Sequence, residues 1–195
     1  MNDLGHTLLQ LARHSISQAL GQHSEAPDTT ANQAALAQAG ATFVTLTRHG
    51  ELRGCIGSLE AWRPLEQDVQ ANAIAAALRD SRFPPLTASE LPDTRIEVSL
   101  VSAAQPLSFA NEAEALSRLQ PGIDGVILQA NGRRATFLPQ VWEQLPNPAV
   151  FMAQLKRKAG LPVDYWSDAV QLSRYSVHKW YEADSNVNDT SRQQQ

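Results

Sequence analysis

Two tight turns do most to restrict what this chain can fold into. Arg48-His49-Gly50-Glu51 joins an apolar run at 41–47 to a second at 52–59, and Asn131-Gly132 joins 123–129 to 133–138. Turns of this kind place left-handed backbone between two strands and match their twist, so each predicts an antiparallel hairpin. The same order follows both turns: a tryptophan (Trp62, then Trp142), a helix and a strand. In the first half Pro64 opens a helix with Leu65, Val69, Ala73, Ala76 and Ala77 on one face, running to about Arg79. Arg95–Ser102 then alternates Ile96, Val98 and Leu100 against Arg95, Glu97 and Ser99, as a half-buried strand does. In the second half a helix over Pro148–Ala159 stops at Gly160-Leu161-Pro162, and Val170–Tyr181 reads as the final strand.

The remaining pieces fit around these two units. Leu4, Leu8, Leu11, Ile16 and Leu20 mark an amphipathic helix over 4–20 that Gly21 ends. A polar connector at 22–30 and a helical turn near 32–38 lead into the first hairpin. Ser81-Arg82-Phe83-Pro84-Pro85-Leu86 is irregular, because paired prolines break both helix and ladder. Thr87-Ala88-Ser89-Glu90 has capping-box spacing, and 111–119 reads as a helix. The expected fold is α+β, with two strand-and-helix repeat units of mainly antiparallel strands packed into one domain with a cleft between lobes. The halves fall at about 40–102 and 106–182, and the polar tail 184–195 is expected to be disordered. The four tryptophans, Trp62, Trp142, Trp166 and Trp180, read as core or interface residues. Lys156-Arg157-Lys158 reads as a solvated, cation-rich helix end.

Composition narrows the function classes. The 195 residues are 43% apolar and 18% charged, the balance of a globular chain that needs no metal or disulfide to fold. A net charge of −4 argues against a generalised nucleic-acid surface, and no RNP or helix-turn-helix signature is present. The start lacks a secretory pattern and no run is apolar enough for a bilayer, so the chain reads as soluble and cytoplasmic. A lone cysteine excludes an internal disulfide and any cysteine-pair metal motif. No histidine spacing indicates a metal site, and no phosphate-binding or dinucleotide fingerprint names a cofactor.

Chemistry concentrates in Leu52-Arg53-Gly54-Cys55-Ile56-Gly57. Alternation puts Arg53 and Cys55 on one strand face, about 7 Å apart, where a guanidinium would favour a thiolate. Gly54 and Gly57 would let a ligand or another backbone approach closely. That is the layout of an activated thiol; equally, Cys55 is a small apolar core residue and the glycines mark a tight strand crossing. A nucleophile needs a base, and His49 lies too far along the hairpin, while His178 could come near only through folding. Glu97 is a candidate general base or partner for Arg53, or else a surface ladder residue. Arg82 is a candidate anion anchor or simply the ion-pair partner of Asp80. Arg53, Arg82 and Arg134 together would suit a carboxylate or phosphate ligand.

Six ordered segments carry a resemblance to a known family. Leu52-Arg53-Gly54-Cys55-Ile56-Gly57 resembles the hallmark motif of AMMECR-type domains, the A proteins of the AmmeMemoRadiSam system. Asp80-Ser81-Arg82-Phe83-Pro84-Pro85, Ile96-Glu97-Val98-Ser99, Asp124-Gly125-Val126-Ile127, Leu138-Pro139-Gln140-Val141 and Lys158-Ala159-Gly160-Leu161-Pro162 agree in order and spacing. The resemblance spans about 5–182 and implies an α+β fold of two repeats, with an activity that is poorly established. It implies Memo-type and radical SAM proteins as partners. Two functions follow from it: an enzyme, or catalytic partner, acting on a small anionic or peptide-like ligand, or a non-catalytic partner-binding module. By motif match, Arg53, Cys55, Arg82 and Glu97 carry over as site residues. Some relatives have histidine at the position of Asp124, where imidazole chemistry is unavailable to this chain.

Overall fold

The computed structural model describes residues 4–182, so the expectation for the 184–195 tail lies outside the described residues. Helix α1 (Leu4–Ala19) buries Leu8, Leu11, Ala12 and Ile16. It ends where Gly21, at φ +72°, lets Gln22 N–H turn back to the Ser17 carbonyl at 2.9 Å. A short α2 (Gln33–Leu36) leads into the hairpin of β1 (Ala39–Arg48) and β2 (Glu51–Gly57). Its turn residues His49 and Gly50 have φ of 51° and 84°. A two-residue β3 (Arg63–Pro64) pairs with Ala39 and Gly40 beside this hairpin and was not evident in the chain's periodicity. Next come α3 (Leu65–Leu78) and β4 (Thr94–Val101).

The second set of elements repeats the order. A short β5 (Gln105–Leu107) and α4 (Glu112–Arg118), capped by Asn111, precede the hairpin of β6 (Gly125–Ala130) and β7 (Arg133–Phe137). Asn131 and Gly132 supply the left-handed turn, at φ 51° and 73°. A 3-10 turn carrying Trp142, then α5 (Pro148–Lys158) and β8 (Gln171–Tyr175) follow. The expected single strand over Val170–Tyr181 is two strands: β9 (Val177–Tyr181) belongs to the other sheet, and Ser176 separates them.

The fold is α+β. One sheet has the order β2-β1-β4-β9, with β3 beside β1; the other has β5-β8-β6-β7. In both, the hairpin's returning strand lies at the edge, its first strand next, and the strand after the helix third. The pairings β1–β2, β6–β7, β6–β8 and β5–β8 are antiparallel. The chain divides into two compact units, one running to Ser99 and resuming at Lys179, the other Leu100–His178. In the first, α3 packs on β1, β2 and α1 through Val69, Ala73, Ala76 and Ala77, small residues that bring helix and sheet close. In the second, Trp142 stacks on Phe151 at 3.7 Å between ring centres and donates its indole N–H to the Asp124 carbonyl at 2.7 Å.

Two expectations change here. Trp62 is not a core residue: it stands 70% exposed. Lys156 is not solvated: it is 1% exposed, donating to Glu112 at 2.6 Å and to the Val163 carbonyl at 3.2 Å. Glu112 supplies the counter-charge that a buried ammonium requires.

Candidate functional site

Cys55 sits on the edge strand β2, opposite Thr45 of β1. At this pair the Cys55 main chain turns away from β1. Its N–H donates to Asp80 Oδ2 at 2.8 Å, and its carbonyl accepts from Arg82 Nη2 at 3.3 Å. Arg82 in turn grips Asp80 through Nε and Nη2, at 2.9 and 2.6 Å. Together Asp80 and Arg82 do what a neighbouring strand would do for one residue. The Arg82 guanidinium, helped by the Cys55 and Arg82 N–H groups and opposed by burial, holds the Asp80 carboxyl well below the usual carboxylate range. The Cys55 thiol is half-buried on the sheet face, and Thr45 Oγ1 donates to Sγ at 3.4 Å.

Arg53 departs from its expected role. The β1–β2 register slips between Leu46 and Thr47, pairing Leu46 with Gly54 but Thr47 with Leu52, so Arg53 is the extra residue of a β-bulge. The bulge breaks simple alternation and sends the guanidinium to Glu90, with Nε–Oε1 and Nη2–Oε2 both 3.1 Å. Arg53 also donates to the Pro84 carbonyl at 2.9 Å and the Pro85 carbonyl at 3.4 Å. Its partner is therefore Glu90, not Glu97, and its role is to fasten the proline loop along the edge of β2. Glu90 also accepts from the Thr87 N–H and hydroxyl at 2.9 and 3.0 Å, the backward reach of a capping box.

The Arg53 fork and then the Thr87 N–H lower the Glu90 pKa from 4.5 to about 2. A carboxyl whose pKa falls on folding stabilises the fold above its unfolded value, and that stabilisation disappears as pH falls through the folded value. Thermal midpoints are expected to drop between about pH 4.5 and about pH 2, and Glu90→Gln should flatten that part of the profile. An unchanged profile in the variant would assign the acid transition to other carboxyls.

The other expected site residues fall as follows. Glu97 is paired with Lys179 at 3.2 Å and accepts from Ser99 Oγ at 3.1 Å. Because β1 lies between β2 and β4, Glu97 is at least about two strand spacings, or ~10 Å, from Cys55. It is out of reach as a direct base for the thiol. Gly54 does not face a ligand: a Cβ there would lie 2.2 Å from the Ala76 carbonyl oxygen of α3. At Gly57 a Cβ would meet the Phe43 ring at 2.2 Å. Arg134 lies exposed on edge strand β7, in the other unit. Asp124 is buried, accepts from the Gln120 N–H at 2.9 Å and closes the turn before β6, a structural role open to a carboxylate. Among the described residues no group of three or more histidine, cysteine, aspartate or glutamate side chains could hold a metal, and no helix is long and apolar enough to cross a membrane.

Sequence reasoning passed over Asp68. It is 0% exposed and accepts five hydrogen bonds. Three come to Oδ2, from Thr42 N, Thr42 Oγ1 and Asn72 Nδ2 at 2.7, 2.7 and 2.9 Å. Two come to Oδ1, from Ser58 Oγ and Arg63 Nε at 2.7 and 2.8 Å. Both ends of the loop after Gly57 are thus tied to one carboxylate. The signal was present: Asp68 and Asn72, one turn apart, lie within the apolar stripe of α3, where a polar pair implies a buried network.

The AMMECR1 family matches residues 9–180. The chain belongs to the AMMECR1 family. A protein of Methanothermobacter thermautotrophicus is 34% identical over 92% of this chain and 95% of its own length. Protein MK0488 of Methanopyrus kandleri is 35% identical, covering 83% of this chain and 80% of its own. The crystal structure of the uncharacterised protein PH0010 from Pyrococcus horikoshii superposes with a TM-score of 0.73 at 30% identity, covering 91% of both chains. Within this AMMECR1 chain, the hallmark segment and the Asp80–Pro85 segment are thus two sides of one structure, the edge of β2 at Arg53 and Cys55.

Proposed function

We propose that this AMMECR1 protein presents Cys55 as a thiol site, a nucleophile or thiol ligand, for a small anionic or peptide-like ligand. In this reading it is an enzyme, or the catalytic partner of cytoplasmic Memo-type and radical SAM proteins. The observation that carries it is a half-buried thiol on a residue whose carbonyl is held by a fixed guanidinium. Arg82, ion-paired with Asp80 and clamped onto the Cys55 carbonyl, is still 54% exposed. Arg53 does not share that task, because Glu90 and the proline carbonyls occupy it. Thr45 orients the sulfur from the neighbouring strand. Without a base in contact, the chemistry that fits is attack or ligation by a thiolate on a ligand whose own anionic group Arg82 receives.

The test is the rate of iodoacetamide alkylation at Cys55, the only thiol. The folded protein is expected to react, and Arg82→Gln should slow it by roughly three- to tenfold, the span of a partly exposed charge interaction. A thiol that reacts only in denaturant would overturn the reading. A second reading, a non-catalytic partner-binding module, is favoured by Trp62, which stands 70% exposed on a loop tied at both ends. Under it, Cys55→Ser keeps function and Trp62→Ala loses partner binding; under the first, Cys55→Ser loses function.

A further inference from the structure

From Asp80 to Glu90 the chain runs along the edge of β2 as a partial neighbouring strand. Asp80 and Arg82 bond the Cys55 N–H and carbonyl, and the Pro84 and Pro85 carbonyls take the Arg53 guanidinium. This cover stops at Cys55. In an antiparallel ladder, outward-turned residues recur at every second position. Gly57, opposite Phe43, therefore turns its N–H and carbonyl the same way as Cys55. The next residue, Ser58, turns inward and donates to the Thr42 carbonyl at 2.8 Å. Among the described residues neither main-chain group of Gly57 has a hydrogen-bond partner. One donor and one acceptor thus stand open on the edge.

Two exposed side chains belong to the segments that adjoin Gly57. One is Arg82, 54% exposed, anchored through Asp80 and bonded to the Cys55 carbonyl. The other is Trp62, in the loop that leaves Gly57, 70% exposed, with Arg63 lying 4.5 Å from its ring centre. The loop that presents Trp62 is held at Ser58 and Arg63 by the same Asp68 oxygen, so its two ends are fixed before any ligand arrives.

We propose that the β2 edge at Gly57 binds the main chain of an extended peptide bearing a carboxylate. Gly57 pairs the peptide backbone, Arg82 receives the carboxylate, and Trp62 covers an apolar side chain. Added strands draw affinity from main-chain bonds and selectivity from side-chain contacts, and this edge offers both. The inference rests on the reading of the Cys55 segment as a ligand site and narrows its ligand to a peptide.

The test is titration of the 15N-labelled protein with acetyl-Ala-Asp-Ala-amide, acetyl-Ala-Ala-Ala with a free carboxyl end, and neutral acetyl-Ala-Ala-Ala-amide. At least one carboxylate peptide is expected to shift the Gly57 amide resonance saturably, about fivefold more tightly than the neutral one. Which of them does so distinguishes a side-chain carboxylate from a chain end. Arg82→Gln should abolish the difference, and Trp62→Ala, at an exposed position, should weaken all binding about threefold. No shift at Gly57, or equal binding of all the peptides, overturns the proposal. The same titration in Cys55→Ser, set beside alkylation of the unmodified protein, separates the two readings: binding retained in the variant while the native thiol is unreactive in the folded state leaves this site standing and removes the thiol function, whereas a reactive native thiol with no peptide shift does the reverse.

Discussion

Asp68→Ala is expected to lower the free energy of unfolding by about 3–5 kcal/mol, the cost of removing one partner from a buried, charge-assisted network. The variant leaves the Thr42 N–H and the Asn72 amide buried among groups that cannot replace the carboxylate, and deprives Arg63, 19% exposed, of its counter-charge. The Asn72 amide N–H groups retain their bonds to the Thr42 carbonyl and hydroxyl and to Ser58 Oγ, at 2.9, 3.2 and 3.2 Å, and Asn72 Oδ1 still accepts from Arg63 Nη2 at 3.3 Å. Asp68→Asn keeps the volume but replaces one acceptor oxygen by a donor facing donors, so it should recover little. The measurement is the urea midpoint at unchanged m-value, with amide exchange at Ser58 as the local readout. A loss below about 1 kcal/mol would mean that packing alone holds the loop to α3.

Gly54→Ala should cost about 3 kcal/mol although it adds a single methyl group, because the obstacle is backbone. The new Cβ would lie 2.2 Å from the Ala76 carbonyl oxygen and 3.1 Å from its carbon. Relief requires α3 to lift off β2, and that disturbs Val69, Ala73 and Ala77 as well, all at most 3% exposed. Gly50→Ala is a useful contrast. It meets nothing within 4 Å and carries only the strain of its φ of +84°, so it should cost less. Equal losses at the two positions would place the importance of Gly54 in backbone conformation and not in helix approach.

The hairpins were legible because turn chemistry is local. His49-Gly50 and Asn131-Gly132 adopt left-handed backbone wherever the rest of the chain lies, and Gly21 and Gly160 end their helices in the same way. The inward face of α3 was legible too, since a 3.6-residue period needs no partner to be seen. Two elements escaped for physical reasons. β3 and β5 span two and three residues, too short for any period, and the break at Ser176 is set by which sheet each strand joins.

At the site the division is sharper. The amino-acid sequence alone identified the hallmark segment, placed it on the returning strand of a hairpin and singled out Cys55, Arg53, Arg82 and Glu97 as its chemistry, with Asp80 only as an ion-pair partner for Arg82. Only the tertiary structure decided who pairs with whom. Arg53 reaches Glu90 across 37 positions, and Cys55 meets Asp80 across 25. A one-residue bulge, invisible to alternation, turned Arg53 out of the role its neighbour Cys55 suggested for it. Periodicity is a property of one segment, whereas a long-range ion pair is a property of two that the fold brings together, and so the elements and the local Asp80–Arg82 pair could be read from the chain while the partner of Arg53 could not.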